Sequence, residues 1–444
     1  MKILFVYAPF CTPTVMPYSI TYLNSFLCAN SKMKSKCIDL NAKFHRMRFP
    51  EFYKSVTKIN SIEEFGKVLE EFNNKSREIY ARNHKLILNN KKPEFFKELL
   101  TLVLNEKPEI VAFSLVYNSQ GPYALALMKE LNKRKIKCIV GGPAVNSKVK
   151  KYAVALEDEF ELIQYLENLK KESYNNTVVD FRKYNKKDYF TKEIIYPLRT
   201  CRGCFYRLCV FCTHSLNQNY MDMDLGYLKK TIALNKAKYV FFIDDSITKK
   251  RLIELSDVLK KMHVKWWAQL RPTRDLIESF KTLSSSGLKS VAWGIESGHQ
   301  LVLDKMMKGT NVADIRTVLK ASHDNGIINT VFIMFGFPGE SKNEFLETID
   351  FLKENSESID LISTSVFGLQ KGSKVYENPK EFGIIEIKET ERNFLDARVD
   401  YTTSTGSDKQ KTKRMRTRHM KTIFALNKLP RIFVTFKEQT LLCK

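Results

Sequence analysis

The sequence predicts an α/β protein built on two parallel sheets, the first open and the second a partial (β/α)6 barrel. Three observations lead there. Short apolar runs of strand length alternate with helical stretches through most of the chain, the pattern of parallel strands covered on both faces. The second half repeats a strand–helix unit six times at spacings of tens of residues, as a partial barrel does. At about 150 residues per domain, a length of 444 residues supplies two or three domains with substantial cores.

Ile3–Ala8 reads as a buried strand, succeeded by a loop with Pro9, Pro13 and Pro17, a helix over Tyr18–Cys28 and a second strand over Lys36–Leu40. A charged stretch from about Phe44 to Leu104 has helical periodicity and no strand. Ile110–Val116 and Lys137–Val140 are again strands, the latter running into Gly141-Gly142-Pro143. A polar segment, Lys170–Asn176, reads as a linker. Beyond it the candidate strands are Ile194–Arg199, Tyr239–Asp244, Lys265–Leu270, Ser290–Glu296, Thr330–Phe335 and Leu361–Phe367. Amphipathic stretches such as Lys249–Met262 and Asn343–Asn355 lie between them. After Asp400 the chain turns polar and basic, with one short apolar piece at Arg431–Phe436. The expected domains are therefore residues 1–172, residues 186–400 and a basic C-terminal tail, 401–444. In such folds the chemistry sits at the C-terminal ends of the strands.

Composition excludes several classes. A hydrophobic fraction of 43% with 12% aromatics is too high for a disordered chain. No apolar run approaches the roughly 20 residues a membrane span needs, and the N-terminal run lacks the form of a signal peptide, so a cytoplasmic protein is expected. The net charge of +24 is uneven, +12 over residues 1–190, +3 over 191–400 and +9 over 401–444. Such a bias permits a polyanionic partner, although solvated Lys-rich faces explain it equally simply.

The nine cysteines are more telling. Cys11, Cys28, Cys37, Cys138 and Cys443 are scattered, whereas Cys201, Cys204, Cys209 and Cys212 fall within twelve residues. An odd total without a secretion signal argues against a disulfide framework and for metal ligation. Two ligand sets compete. Four thiolates could bind zinc as two Cys-x-x-Cys halves, but only Phe205–Leu208 separate the halves, and zinc sites usually place them farther apart. Alternatively Cys204, Cys209 and Cys212 surround an iron–sulfur cube on one loop, leaving one iron without a protein ligand. A loop after the first barrel strand favours the cube.

The run Arg202-Gly203-Cys204-Phe-Tyr-Arg-Leu-Cys209-Val-Phe211-Cys212 resembles the cluster loop of the radical S-adenosylmethionine (radical SAM) superfamily, with one residue inserted between the first two cysteines. Further segments stand in the order the resemblance requires: Phe242-Ile-Asp244-Asp245, Gln269-Leu-Arg271, Gly294-Ile-Glu296-Ser297-Gly298, Val302 to Gly309, and Gly336-Phe-Pro338-Gly339-Glu340. Together they span roughly 140 residues, each after a predicted strand. The resemblance implies a TIM-type radical SAM barrel. Its cofactors would be a [4Fe-4S] cluster on Cys204, Cys209 and Cys212, with Cys201 as a non-ligand, and S-adenosylmethionine, whose reductive cleavage yields a 5′-deoxyadenosyl radical. It further implies acidic or carbonyl groups near Asp244 and Asp245 for the methionine amine, Arg271 for the carboxylate, and Gln269 as a further S-adenosylmethionine contact. Glu296 and Ser297 would reach the ribose side, and Phe211 and the backbone at Gly336 the adenine. Capping by Asp244, core packing by Phe211 and a salt bridge by Arg271 are the structural alternatives. His214 and Tyr220 are candidate mouth residues.

The first 170 residues resemble the Rossmann/flavodoxin-like cobalamin-binding-type domain that precedes the barrel in one radical SAM subgroup. The carrying pieces are Lys2–Pro9, Asp39-Leu-Asn41, Phe113-Ser114-Leu115 and Val140-Gly141-Gly142-Pro143. By this resemblance Ser114, Gly141 and Gly142 would line a cobalamin site. The chain lacks Asp-x-His-x-x-Gly, so no histidine of that motif is present to ligate cobalt, and Ala155–Glu159 replaces the usual Gly-rich segment.

The expected function is a radical SAM enzyme acting by methylation or rearrangement at an unactivated carbon of a small molecule or peptide, fed by an electron donor such as flavodoxin or ferredoxin. Methylthiolation of RNA or protein is a second enzyme class, but the remaining cysteines are not placed for a second cluster. A zinc-stabilised nucleic-acid-binding protein using the basic tail is a third, and it leaves the ordered barrel segments unexplained.

Overall fold

The computed structural model describes residues 2–168, 177–214 and 219–443. The expected linker at 170–176 lies outside the described residues. Two compact units form, Met1–Ile194 with Gly226–Ala237 and Glu391–Ala397, and Ile195–Leu225 with Lys238–Thr390 and Arg398–Lys444.

In the first unit, strands β1 (Lys2–Tyr7), β2 (Lys34–Asp39), β3 (Ile110–Ser114), β4 (Lys137–Gly141) and β5 (Val154–Ala155) make one sheet in the order β2-β1-β3-β4-β5. Every neighbouring pair is parallel, the flavodoxin-like arrangement, with its switch point between β1 and β3. Burial tracks that order: β3 is buried throughout and β1 nearly so, while β2 at the edge is partly exposed. The charged stretch after β2 folds as helices, the longest Ile62–Leu88, capped by Ser61, whose side chain accepts from Glu64 N–H. Its aromatic residues close over the switch point. Phe10, fully buried, packs 4.9 Å from Phe44, 4.7 Å from Tyr80 and 5.4 Å from Tyr123, ring centre to ring centre.

In the second unit, β6 (Ile195–Leu198) leads into a short antiparallel ribbon, β7 (Cys201–Arg202) with β8 (Met221–Asp222). Then come β9 (Tyr239–Phe242), β10 (Lys265–Leu270), β11 (Leu288–Glu296), β12 (Ile328–Phe335) and β13 (Leu361–Val366). The six-stranded sheet runs in simple chain order, β6-β9-β10-β11-β12-β13, and is parallel throughout. That is a partial (β/α)6 barrel.

Its two faces are distinguished by their partners. Trp293 of β11 donates its indole N–H to Asn329 Oδ1 at 2.8 Å and meets Phe280 edge-on, so this parity faces the helices. Ser290, of the opposite parity, meets Thr440 Oγ1 at 2.9 Å. The turns Arg431–Val434 and Lys437–Leu442 thus bring the end of the chain onto the inner face. A hairpin of β14 (Ile384–Thr390) and β15 (Arg398–Thr403) precedes the helix Lys409–Ala425. That helix lies on the outer parity: Arg416 Nε donates to Thr364 Oγ1 at 2.9 Å, and His419 packs 5.7 Å from Phe345. The basic segment expected as a tail therefore supplies the sixth helix and an inner plug. No helix among the described residues is long and apolar enough to cross a membrane.

Candidate active site

The cysteine loop springs from the C-terminal end of β6 and is fixed at its root by Asp244. The Asp244 carboxylate accepts from Thr200 N–H at 2.9 Å, Cys201 N–H at 2.8 Å and Thr200 Oγ1 at 3.1 Å. Burial pushes this carboxyl above its ordinary range, and the backbone donors oppose that rise. Asp244 is thus engaged in holding the loop. The buried Arg251 braces the same root, donating Nη2 to Thr200 O at 2.9 Å and to Met223 O.

The loop's far side is also tied down. Val210 N–H donates to Met306 O at 3.1 Å, and Val375 N–H to Val210 O at 3.2 Å. Val210 belongs to an apolar cluster with Val302, Met306, Phe337, Phe367 and Val375, against which Phe211 packs. Tyr206 donates its hydroxyl to Met307 O at 2.9 Å. It also dictates a glycine at 309: a Cβ there would lie 2.1 Å from Tyr206 Oη, and φ is +63°.

Between these supports Cys204, Cys209 and Cys212 are partly exposed and close enough for the fields of the first two to raise the Cys212 thiol, after burial as the main cause. Burial also pushes Cys209 up, opposed by Lys308 and Arg271. Cys201 is turned away: its thiol is buried and bonds Asp244 Oδ1 at 3.3 Å and Ser246 O at 3.5 Å. Among the described residues no three or more His, Cys, Asp or Glu side chains are grouped to hold a single metal ion. With Cys201 turned onto Asp244 and Ser246 O, three thiols and not four remain on the loop. Three soft thiol donors on one loop, with two cations beside them, fit a cube whose irons are bound one thiolate each.

The remaining residues fall into two groups. Asp245, Gln269, Arg271 and Glu296 gather near the loop. Asp245 Oδ1 meets His214 Nδ1 at 2.9 Å, which raises that imidazole's pKa, and Asp245 O accepts from Gln269 Nε2 at 3.3 Å. Arg271 is buried under the loop, stacked 3.4 Å from the centre of the Tyr206 ring, with Nη1 3.8 Å from Cys209 Sγ and Nη2 on Lys308 O. Glu296 holds a left-handed φ of +73° at a register shift in the β11–β12 ladder, and its Oε1 pairs with Lys308 Nζ at 2.9 Å. Lys308 in turn lies 5.9 Å from the Phe211 ring. Ser297 turns toward the helix layer instead, bonding Thr348 Oγ1 at 3.1 Å and capping His299 N–H at 3.1 Å. Gly336, at φ +77°, is overlain by Thr412, so a Cβ there would lie 2.8 Å from that side chain. Tyr220 bonds Asp222 Oδ1 at 2.6 Å.

Sequence reasoning missed Lys308 and Tyr206 as members of the site. Lys308 stands within the segment Val302 to Gly309, and its burial beside Glu296 carries no local sequence signal. In the first unit, Ser114 Oγ donates to Ser19 Oγ at 2.8 Å. A Cβ on Gly142 (φ +108°) would lie 2.4 Å from Leu115 O, and one on Gly141 3.1 Å from Leu156 O. These three residues thus stand at the C-terminal ends of β3 and β4, close against the domain's own backbone and Ser19.

Residues 198–352 match the Radical SAM superfamily. The chain is 27% identical over 188 residues to an uncharacterized methyltransferase of Pyrococcus horikoshii, covering 40% of either chain. It is 29% identical over 172 residues to bacteriochlorophyllide d C-12(1)-methyltransferase of Chlorobaculum tepidum, covering 36% of this chain and 37% of that one. The chain thus spans about two fifths of the length of these curated relatives. Among solved structures, it aligns with the radical S-adenosylmethionine methyltransferase TsrM from Kitasatospora setae, determined with cobalamin and a [4Fe-4S] cluster bound. The TM-score is 0.66 at 12% identity, over 96% of this chain and 88% of that one. At that identity the likeness is one of fold. With all three loop thiols inside the matched stretch, residues 198–352 match the radical SAM superfamily and are preceded by a flavodoxin-like domain, the fold along the chain being similar to that of TsrM.

Proposed function

We propose that this protein binds a [4Fe-4S] cluster through Cys204, Cys209 and Cys212 and cleaves S-adenosylmethionine reductively, for methylation or rearrangement at an unactivated carbon. The observation that carries it is the loop: Cys204 and Cys209 stand near enough to Cys212 for their fields to act on its thiol, between two sets of backbone anchors, while the fourth cysteine is turned into the core. A cluster held by Cys204, Cys209 and Cys212 would supply the one-electron reduction that S-adenosylmethionine cleavage requires.

The chain's own residues then have separate tasks. Asp244 and Arg251 hold the loop's root, and Tyr206 and Val210 its far side. Asp245, half-exposed, offers a carboxylate for the methionine amine. Arg271 and Lys308 place positive charge beside Cys209, where added electron density must be tolerated. Glu296 is the acceptor on the ribose side, held by Lys308. Phe211 and the Gly336 backbone serve the adenine. A flavodoxin- or ferredoxin-type donor and a small-molecule or peptide substrate complete this proposal, which does not depend on cobalamin.

Protein purified without oxygen should be brown and carry about four iron and four sulfide per chain. Cys204→Ala, Cys209→Ala and Cys212→Ala should each lose the cluster and 5′-deoxyadenosine release, whereas Cys201→Ser should keep its iron. Colourless protein carrying stoichiometric zinc would overturn the proposal.

A further inference from the structure

The inner face of the barrel holds hydrogen-bond donors that neither the fold nor the radical site uses. Trp267 Nε1 and Thr330 Oγ1 are shielded from water and have no partner among the described residues, on side chains 2% and 0% exposed. The pairing register puts both on the parity of Ser290: Trp267 stands opposite Ser290, and Thr330 opposite Ala292. Lys437 comes onto the same face from the end of the chain. It lies one 3-10 turn before Thr440, which rests on Ser290, and its Nζ sits 4.4 Å from the centre of the Phe332 ring. Burial lowers its pKa.

The chemistry of this group is one-sided. An ammonium and an indole N–H can only donate, and a hydroxyl can do so. The strand residues sharing this face, from Ile195 across to Ser365 and up to Gly294, include no Asp or Glu. The nearest carboxylate in sequence, Glu438, has Oε1 engaged by Gln439 Nε2 at 3.1 Å. Phe241, Phe332 and Met334 on the same face are only half-buried, so part of the inner surface is left accessible beside the chain's end. Each donor left unpaired and shielded costs about 1–3 kcal/mol. An acceptor-rich group carried on an apolar body would satisfy all three while covering the exposed rings.

We propose that the barrel interior binds the carboxylate of an aromatic or apolar organic acid, with Lys437 as counter-charge and Trp267 and Thr330 as donors. This names a substrate class for the radical reaction and rests on that reading only for the chemistry after binding. Lys437 selects the charge, and the Phe332 and Phe241 rings accept the apolar body.

The test compares phenylacetate with its uncharged analogue phenylacetamide on the full-length protein, by thermal shift and by calorimetric titration. Phenylacetate should raise the unfolding midpoint in a dose-dependent way and bind at least tenfold tighter than phenylacetamide. Lys437→Gln should bring the two to equal affinity, Lys437→Arg should restore most of the difference, and Trp267→Phe should weaken the acid alone. Equal binding of the two probes to the wild type, no binding of either, or a Lys437→Gln protein that still prefers the acid would each overturn the proposal. If Lys437→Gln does not fold, the wild-type comparison and Thr330→Val decide. Iron, sulfide and 5′-deoxyadenosine release are measured on the same wild-type preparation. Their absence would remove the radical reading while leaving the carboxylate result standing, and the converse pattern would remove only this inference.

Discussion

Arg271 directs Nη1 at Cys209 Sγ across 3.8 Å while its guanidinium is stacked 3.4 Å from the centre of the Tyr206 ring. The residue is almost wholly buried, and its second nitrogen is held by Lys308 O. Its position is therefore set by the protein before any ligand arrives.

A fixed cation beside a cluster ligand stabilises the reduced, more negative state. Arg271→Gln should make the cluster's midpoint potential more negative by tens of millivolts, about 59 mV for each tenfold change in the one-electron equilibrium. Arg271→Lys should recover part of the shift. Potentiometric titration monitored by electron paramagnetic resonance measures it, and an unchanged potential in Arg271→Gln would remove the tuning role.

Asp244 makes a second prediction. Its carboxylate accepts from two backbone N–H groups and one hydroxyl at the loop's root. An amide offers one acceptor and turns two donors toward donors already there. Asp244→Asn should cost about 1–3 kcal/mol, read as a lowered unfolding midpoint, together with reduced iron retention. Asp245→Asn, at a half-exposed position, should leave stability nearly unchanged and weaken S-adenosylmethionine binding instead.

Glu340 gives a pH signature. It is buried after β12, accepts from Gly336 N–H, and leaves Oε1 without a partner among the described residues. Burial raises its pKa from 4.5 to about 8. Between those values the unfolded chain is ionised while the folded one keeps its proton, so stability falls as pH rises, on the order of 1 kcal/mol per unit. Glu340→Gln mimics the protonated form and should abolish that slope between pH 5 and about 8. Chemical denaturation across the range decides; a slope unchanged in the variant would count against the shift.

In the first unit, Gly142→Ala should destabilise the fold whether or not any cofactor is present. The new Cβ would meet Leu115 O at 2.4 Å with φ held at +108°, and backbone on both sides cannot yield. A loss of about 1–3 kcal/mol is expected. A variant as stable as the wild type would show that the turn relaxes.

The central strands of both sheets were legible because they are compact apolar runs buried on both faces, as in β3 and β11. The two-residue β5, exposed at its edge, and the polar β14–β15 hairpin carry no such signal. The helix Lys409–Ala425 was hidden for a related reason: only Thr412 and Ile423 are buried, so it has almost no apolar stripe for periodicity to reveal. At the site, the thiol spacing was readable because one loop carries it. The divergence of Asp244 and Asp245 was not, since neighbouring aspartates look alike until the strand turns one toward Thr200 and the other toward His214. Lys308 meets the loop, and Tyr206 anchors it to Met307, through contacts about a hundred residues apart in sequence, where local pattern is silent.

The loop that carries the thiols is suspended at both ends by bonds between protein groups alone, at Asp244 and Arg251 on one side and Met306 and Val375 on the other. In a zinc finger the metal itself supplies the folding energy. Here the loop is also anchored by hydrogen bonds that no metal mediates. Loss of iron to oxygen should therefore leave a folded vessel that can be refilled in place, which makes cluster insertion a repair step and not a refolding one.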